Sequence, residues 1–155
     1  MAESTQDRQG KDSIMAQHHT AVGSAGVGAF LDAVTPPARA AEARQLAALF
    51  AEVTGYPPRV WGSILGFGRY AYRYESGHSG ESPAIGFAPR KAEIVLYLPP
   101  RFSAAAPLLA DLGPHRLGKS CLYLRRLDGV DMQVLRRLIR AGLEDLARCW
   151  TVLPE

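Results

Sequence analysis

The amino-acid sequence predicts a single α+β domain, in which an antiparallel sheet packs against helices and a long helix closes the chain. Its 155 residues suffice for one ordinary domain. Tyr70, Tyr72 and Tyr74 alternate with small or charged residues, which is the two-residue period of a strand. From Leu135 to Trp150, apolar side chains recur at the helical period. Runs of strands flanked by helices favour an α+β sandwich over a doubly wound sheet.

The first elements of the predicted domain are helices. Residues 29–34 form a short apolar turn of helix, and the prolines after it indicate the start of a longer one. Thr35 is predicted as the N-cap, with Pro36 at the first helical position. Apolar side chains then follow at helical spacing up to Gly55, a residue typical of the position just after a helix.

Strands and one short helix follow. The sequence predicts strands near residues 70–74, 84–88, 93–98 and 119–125, and a helix over residues 104–112. Segments rich in Gly, Ser and Pro separate them. Asp128 is predicted to cap the last helix, with Asp131 at its third position. Both carboxylates would then lie at the positive end of the helix dipole.

Composition and segment boundaries restrict the class of protein. Hydrophobic residues make up 47% and charged residues 21%, as in globular domains. Residues 1–26 are predicted to be a flexible polar tail, followed by the domain over residues 27–150. No apolar stretch reaches the roughly 18 residues of a spanning helix, and no signal-peptide pattern is present. A cytoplasmic protein without a membrane partner is expected. Cys121 and Cys149 are too few for a disulfide framework or a zinc quartet.

Residues 113–120, Gly-Pro-His-Arg-Leu-Gly-Lys-Ser, match the phosphate-loop pattern GxxxxGK[ST]. That loop requires a buried strand before it and a helix after it, so that amides at the helix N-terminus hold the phosphates. The predicted order here is reversed, with a helix before the motif and a strand after it. The sequence therefore argues against a nucleotide-binding loop.

Positive charge is divided unevenly between arginine and lysine. Arginines supply 15 of the 18 cations, and the lysines are only Lys11, Lys91 and Lys119. Lysines kept in an arginine-rich domain indicate positions that need a compact point charge. The alternative is that they are solvated strand ends. The sequence predicts a site for a small anion that combines basic side chains with tyrosine hydroxyls, at Arg90, Lys91, Tyr97, Lys119 and Tyr123.

The tyrosine stripe has two interpretations. Tyr70, Tyr72 and Tyr74, with Trp61, could stack against a ring or a single strand of nucleic acid. A sheet face packed beneath a helix produces the same pattern. The net charge of +3 permits a nucleic-acid partner but does not indicate one.

Several strings of residues together resemble the YdhG-like domain family. They cover roughly residues 27–148 and occur in the family's order: Gly66-Phe67-Gly68 with Tyr70 and Tyr72–Tyr74, Gly86-Phe87-Ala88-Pro89-Arg90-Lys91-Ala92, Leu96-Tyr97, Gly118-Lys119-Ser120-Cys121-Leu122-Tyr123, and Leu127 to Asp131 before the last helix. The resemblance implies a small α+β domain and places the Gly-Lys-Ser run before a strand. Some members are described as frataxin-like iron chaperones that serve iron–sulfur assembly.

The residues favour a binding function. No coherent acid, base and nucleophile emerge, so a non-enzymatic domain is expected, with a small anionic ligand or a protein as its partner and no cofactor. The alternative, implied by the resemblance, is iron binding. Frataxins carry an acidic ridge on their first helix. Here the corresponding helix carries Glu42 and Glu52 against Arg39 and Arg44, which departs from that pattern.

Overall fold

Four helices and a seven-stranded sheet form the parts of the chain that the computed structural model describes, which are residues 26–98, 106–118 and 121–154. Every strand pair is antiparallel. The predicted α+β class is therefore confirmed. The predicted tail falls almost wholly outside the described residues, as do Lys119 and Ser120.

The helices begin and end where local chemistry favours it. They are α1 (Val27–Asp32), α2 (Pro37–Thr54), α3 (Ala106–Leu112) and α4 (Met132–Cys149). Helix α2 begins one residue later than predicted, with Pro36 rather than Thr35 in the N-cap position. It ends at Gly55, which adopts φ 75° and donates its N–H to the Ala51 carbonyl at 2.8 Å.

Helix α4 is capped by Asp131, not by Asp128. The Asp131 carboxylate accepts hydrogen bonds from the backbone N–H groups of Gln133 at 3.0 Å and Val134 at 3.2 Å. A turn delays the start of the helix, because Gly129 has φ 88° and the N–H of Val130 donates to the Leu127 carbonyl. Asp128 is left free of the capping role and lies beside the site described below.

The sheet has the strand order β1-β2-β3-β4-β6-β5, and β7 pairs with Arg69 and Tyr70 in the middle of β2. The two-residue strands β5 and β7 were not predicted from the sequence, because they are too short to show a period. The strand bounds are β1 (Pro58–Trp61), β2 (Ile64–Arg73), β3 (Ser79–Pro89), β4 (Ile94–Tyr97), β5 (Arg116–Leu117), β6 (Cys121–Leu124) and β7 (Val152–Leu153).

One face of the sheet packs against the helices to form the main core. Alternate strand residues point into it, and side chains from all four helices meet them. Phe50 of α2 lies at its centre, with its ring centroid 5.3 Å from Phe67 and 5.4 Å from Phe87. Other strand members of this face are Leu65, Ile85, Ile94, Leu96, Leu122 and Leu124.

The opposite face holds a second cluster whose members all come from strands. Two tyrosines, Tyr97 and Tyr123, pack against its edge. Its buried members are Trp61, Ile64, Ala88, Val95 and Cys121. The sheet therefore separates a helix-covered core from an aromatic face, and the predicted site tyrosines lie on the aromatic face.

The tyrosine stripe lies along the long β2–β3 hairpin. Tyr70 contacts Trp150 at the end of α4, with ring centroids 5.8 Å apart, so the inner end of the stripe is covered. Tyr72 is 4% exposed and stacks on Tyr74, which is 41% exposed, at 5.2 Å. The row continues to His78 at the turn. Packing against the end of a helix thus accounts for the inner half, while the stacking interpretation of the outer half stays a prediction.

Candidate functional site

A cleft of about 480 Å³ opens at the β5 end of the sheet, and we call it the arginine cleft. Strands β5 and β6, the residue that precedes β4 and the segment that leads into α4 bring its walls together. The lining residues are Glu93, Pro114, His115, Arg116, Tyr123, Arg125, Arg126 and Asp128. A volume of this size falls within the range of ordinary small-molecule sites.

Arg116 is fixed along one wall of the arginine cleft. The register of β5 on β6 pairs Arg116 with Tyr123, and the guanidinium carbon lies 4.0 Å from the centre of the tyrosine ring. The same Arg116 Nη2 donates to both carboxylate oxygens of Glu93, at 3.0 and 3.1 Å. The ion pair with Arg116 therefore neutralises the negative charge of Glu93.

Gly118 lets the Tyr123 ring lie close to the backbone. A Cβ on Gly118 would come within 2.8 Å of that ring, which is closer than real contacts allow. The glycine of the Gly-Lys-Ser run thus has a packing role in this wall. The elements around residues 113–120 follow the predicted order, with helix α3 before the phosphate-loop pattern and strand β6 after it.

Arg125 and Arg126 form the opposite wall directly after β6. Both are exposed, and neither takes part in an ion pair among residues 26–98, 106–118 and 121–154. Asp128 is the acidic side chain beside them. His115 adds a ring whose Nδ1–H donates to the Gly113 carbonyl at 2.8 Å, so its Nε2 remains available to another group.

A second cleft of about 470 Å³ lies on the other side of the same segment, and we call it the helix cleft. Its lining residues are Pro36, Ala38, Arg39, Glu42, Ala92, Arg125, Arg126 and Asp128. The two clefts share Arg125, Arg126 and Asp128. Residues 125–128 therefore form a ridge between them.

Arg39 fixes the ridge to helix α2. Its side chain is buried and donates from Nε to the Arg90 carbonyl at 2.9 Å, and from Nη2 to the Arg125 carbonyl at 2.8 Å. Its Nη1 pairs with Glu42 at 2.5 Å, and the second Glu42 oxygen accepts from the Leu127 N–H at 2.7 Å. Two side chains of one helical turn thus hold the backbone on both sides of the helix cleft.

The structure brings together three of the five predicted site residues. Arg90 Nη2 donates to the Tyr97 hydroxyl at 3.2 Å, and Tyr97 and Tyr123 pack against the same aromatic face. Lys91 is exposed at the turn after β3. Lys119 lies outside the described residues, so the predicted proximity of Lys91 and Lys119 stays a prediction. Of the four that the structure describes, only Tyr123 lines the arginine cleft.

Burial raises the pKa of the Tyr97 phenol above its ordinary value of 10.0. The positive charge of Arg90 opposes that shift, and the nearby Cys121 adds to it. Tyr97 therefore stays protonated over a wider range of pH than a free tyrosine, as a half-buried hydroxyl that accepts from Arg90.

Sequence reasoning missed Arg39 and Arg116 as site residues. Arg39 carried a usable signal, because it lies in the first turn of α2, where the helix dipole disfavours a cation. A cation retained there suggests a contact outside the helix. Arg116 carried no such signal, since its role depends on the two-residue strand β5.

Among the described residues, no three His, Cys, Asp or Glu side chains come together in a way that could hold a metal ion. Two of the acidic side chains at the clefts are instead bound by other protein groups: Glu93 by Arg116, and Glu42 by Arg39 and the Leu127 N–H.

In the same parts of the chain, none of the helices has the length and apolar character needed to cross a lipid bilayer.

Comparisons with family models, curated proteins and solved structures find no match to this chain. The resemblance to the YdhG-like domain family consequently remains a prediction from the residues quoted above.

Proposed function

We propose that this protein binds a small anionic ligand in the arginine cleft, with a carboxylate or phosphate group held by Arg125 and Arg126. The ligand's remaining atoms would lie against Tyr123 and Pro114 on the facing wall. This role agrees with the anion-binding function expected from the sequence, but it transfers the main contacts from lysines to arginines.

The charge balance of the cleft carries the proposal. Glu93 is paired with Arg116, whereas Arg125 and Arg126 have no acidic partner among the described residues. Within the same residues, the lining carboxylate of Asp128 forms no ion pair either. Two adjacent guanidinium groups therefore face a concave surface with a surplus of positive charge. A bound anion would supply the missing partner.

The donor geometry of arginine suits this task. A guanidinium group presents a planar fork of N–H donors that matches the two oxygens of a carboxylate or phosphate. Its charge does not change over the accessible pH range. Because Arg39 holds the Arg125 carbonyl at 2.8 Å, the backbone of the ridge is ordered before a ligand arrives. These features support binding rather than proton transfer.

Iron binding, the alternative that the resemblance implies, stays a prediction. Iron bound by oxygen ligands would need carboxylates directed at one point. Of the three described carboxylates that line the clefts, Glu42 and Glu93 are paired with Arg39 and Arg116, which leaves Asp128.

Titration calorimetry with citrate at low ionic strength tests the proposal. We expect saturable binding, and Arg126→Gln should weaken it by about fivefold or more, since each charge-assisted contact contributes on the order of 1.5 kcal/mol. Arg140→Gln is the matched control, because it removes an exposed arginine from α4 that lines neither cleft. Equal loss in both variants, or no saturable binding, would contradict the proposal.

A further inference from the structure

We infer that the ligand is an extended acidic peptide segment that crosses the ridge and occupies the arginine cleft and the helix cleft together. This inference rests on the proposed function and adds the length and chemistry of the ligand. It begins from the three residues that the two clefts share, Arg125, Arg126 and Asp128.

The volumes leave room for more than a single carboxylate or phosphate group. Each cleft measures roughly the same, about 480 and 470 Å³. Both lie in the range that drug-sized ligands fill, so one carboxylate or phosphate group would leave most of either cleft unoccupied. A ligand that continues from one cleft into the other would fill both and keep its acidic groups near the arginines of the ridge.

The lining chemistry favours a peptide over a linear polyphosphate. Apolar surface flanks the arginines on both sides, from Pro114 and Tyr123 in the arginine cleft and from Pro36, Ala38 and Ala92 in the helix cleft. A polyphosphate carries charge on every unit and would leave that apolar surface without a partner. A peptide that alternates acidic and apolar residues can satisfy both surfaces.

The charges in and beside the helix cleft also favour an acidic peptide. Glu42, which lines this cleft, is neutralised by its ion pair with Arg39 and accepts a hydrogen bond from the Leu127 N–H. Arg90 and Lys91 directly precede Ala92 in the chain, and Arg39 holds the Arg90 carbonyl at this cleft. Two of the sequence-predicted site residues thus adjoin the helix cleft, while Tyr123 lines the arginine cleft.

A new carboxylate in the helix cleft provides the test. Ala92→Glu and Ala38→Glu each place an acidic side chain at an exposed lining position that touches only this cleft. Ala48→Glu is the matched control, because it makes the same change at an exposed position of α2 outside both clefts. The probes are citrate, tripolyphosphate and a blocked hexapeptide of alternating Glu and Leu.

We expect the peptide to bind wild-type protein about tenfold more tightly than citrate, since it gains charge-assisted contacts in both clefts. Ala92→Glu and Ala38→Glu should each weaken the peptide about fivefold through like-charge repulsion and leave citrate binding unchanged. Ala48→Glu should change neither. Tripolyphosphate should bind more weakly than the peptide.

Failure of the inference is distinguishable from failure of the proposed function. If citrate binds and Arg126→Gln weakens it, while neither helix-cleft variant weakens the peptide, only the two-cleft ligand is wrong. Tripolyphosphate binding as tight as that of the peptide would also overturn the peptide assignment. If citrate does not bind at all, the proposed function itself is wrong.

Discussion

The side chain of Arg39 holds together the backbone segments that form the helix cleft. Its three donor groups contact the Arg90 carbonyl, the Arg125 carbonyl and Glu42, and its side chain is only 8% exposed. A charge buried this deeply is tolerated because each donor has an acceptor. Arg39 therefore ties helix α2 to the backbone at Arg90 and at Arg125.

Replacing Arg39 should reveal how strongly this network is coupled. Arg39→Met leaves Glu42 half-buried without its cation and frees two backbone carbonyls, so we expect a loss of about 3 kcal/mol in the free energy of unfolding. Glu42→Gln removes the same ion pair from the other side. The double variant should therefore lose less free energy of unfolding than the two single variants lose in sum. Urea unfolding of the four proteins measures this, and additive losses would show that the pair is not coupled.

Tyr97 links stability to alkaline pH. Burial raises the pKa of its phenol above 10.0 in the folded protein, so the folded state favours the protonated form. The stabilising effect is complete below the unfolded pKa and is lost as the pH rises through the folded pKa.

Stability should therefore fall above about pH 10 more steeply in the wild-type protein than in Tyr97→Phe, which has no phenol to ionise. At neutral pH the variant should lose about 1 kcal/mol, because it lacks the hydroxyl that accepts from Arg90. Denaturant unfolding at a series of pH values measures both effects. Parallel stability profiles above pH 10 would contradict the role assigned to Tyr97.

The turns between elements depend on close backbone approach. The carbonyl oxygen of Gly129 lies 2.3 Å from where a Cβ on Gly113 would stand, and Gly113 has φ 108°. The Asp131 N–H donates to the Leu112 carbonyl at 2.8 Å beside it. The first glycine of the phosphate-loop pattern thus joins the end of α3 to the start of α4.

Gly113→Ala should cost about 3 kcal/mol, because a methyl group there meets backbone atoms and an unfavourable backbone angle. Gly28→Ala is the control, since nothing lies within 4 Å of its Cβ position in α1. That change should be neutral or stabilising by up to about 1 kcal/mol through helix propensity. Thermal unfolding distinguishes the two, and equal stability of both variants would remove the structural role of Gly113.

The sequence predicted elements better than it predicted contacts between them. The strand period of the tyrosine stripe, the Gly55 stop and the long last helix carry strong local signals, and all three occur in the structure. Asp128 and Asp131 both satisfied the capping pattern, and only the turn at Gly129 decided between them. Local periodicity carries no information about such a turn.

The candidate site was harder to predict because its parts are distant in sequence. Tyr123 and Arg90 were identified from their residue types and neighbours, but Arg39 contacts residues more than fifty positions away. Arg116 joins the site through a two-residue strand that shows no period. Long-range contacts of this kind depend on strand order and helix placement, which local patterns in a single sequence do not specify.

At the scale of the whole molecule, the sheet divides two kinds of surface. One face is filled by the helices, and the other carries the aromatic cluster with Tyr97 and Tyr123 at its edge. The two clefts lie where the last sheet strands meet the loops that Arg39 secures. The modest net charge of +3 thus understates the local concentration of unpaired arginine on the ridge.

The central claim is that an anion binds beside the ridge, and amide chemical-shift mapping with citrate tests it most directly. The account predicts that the amides of Arg116, Tyr123, Arg125 and Arg126 shift with a single saturation curve, and that Arg125→Gln combined with Arg126→Gln abolishes the shifts. The matched control is Arg137→Gln combined with Arg140→Gln, which removes two exposed arginines of α4 and should leave the shifts intact. Shifts confined to other surfaces, or shifts that survive loss of both ridge arginines, would contradict the account.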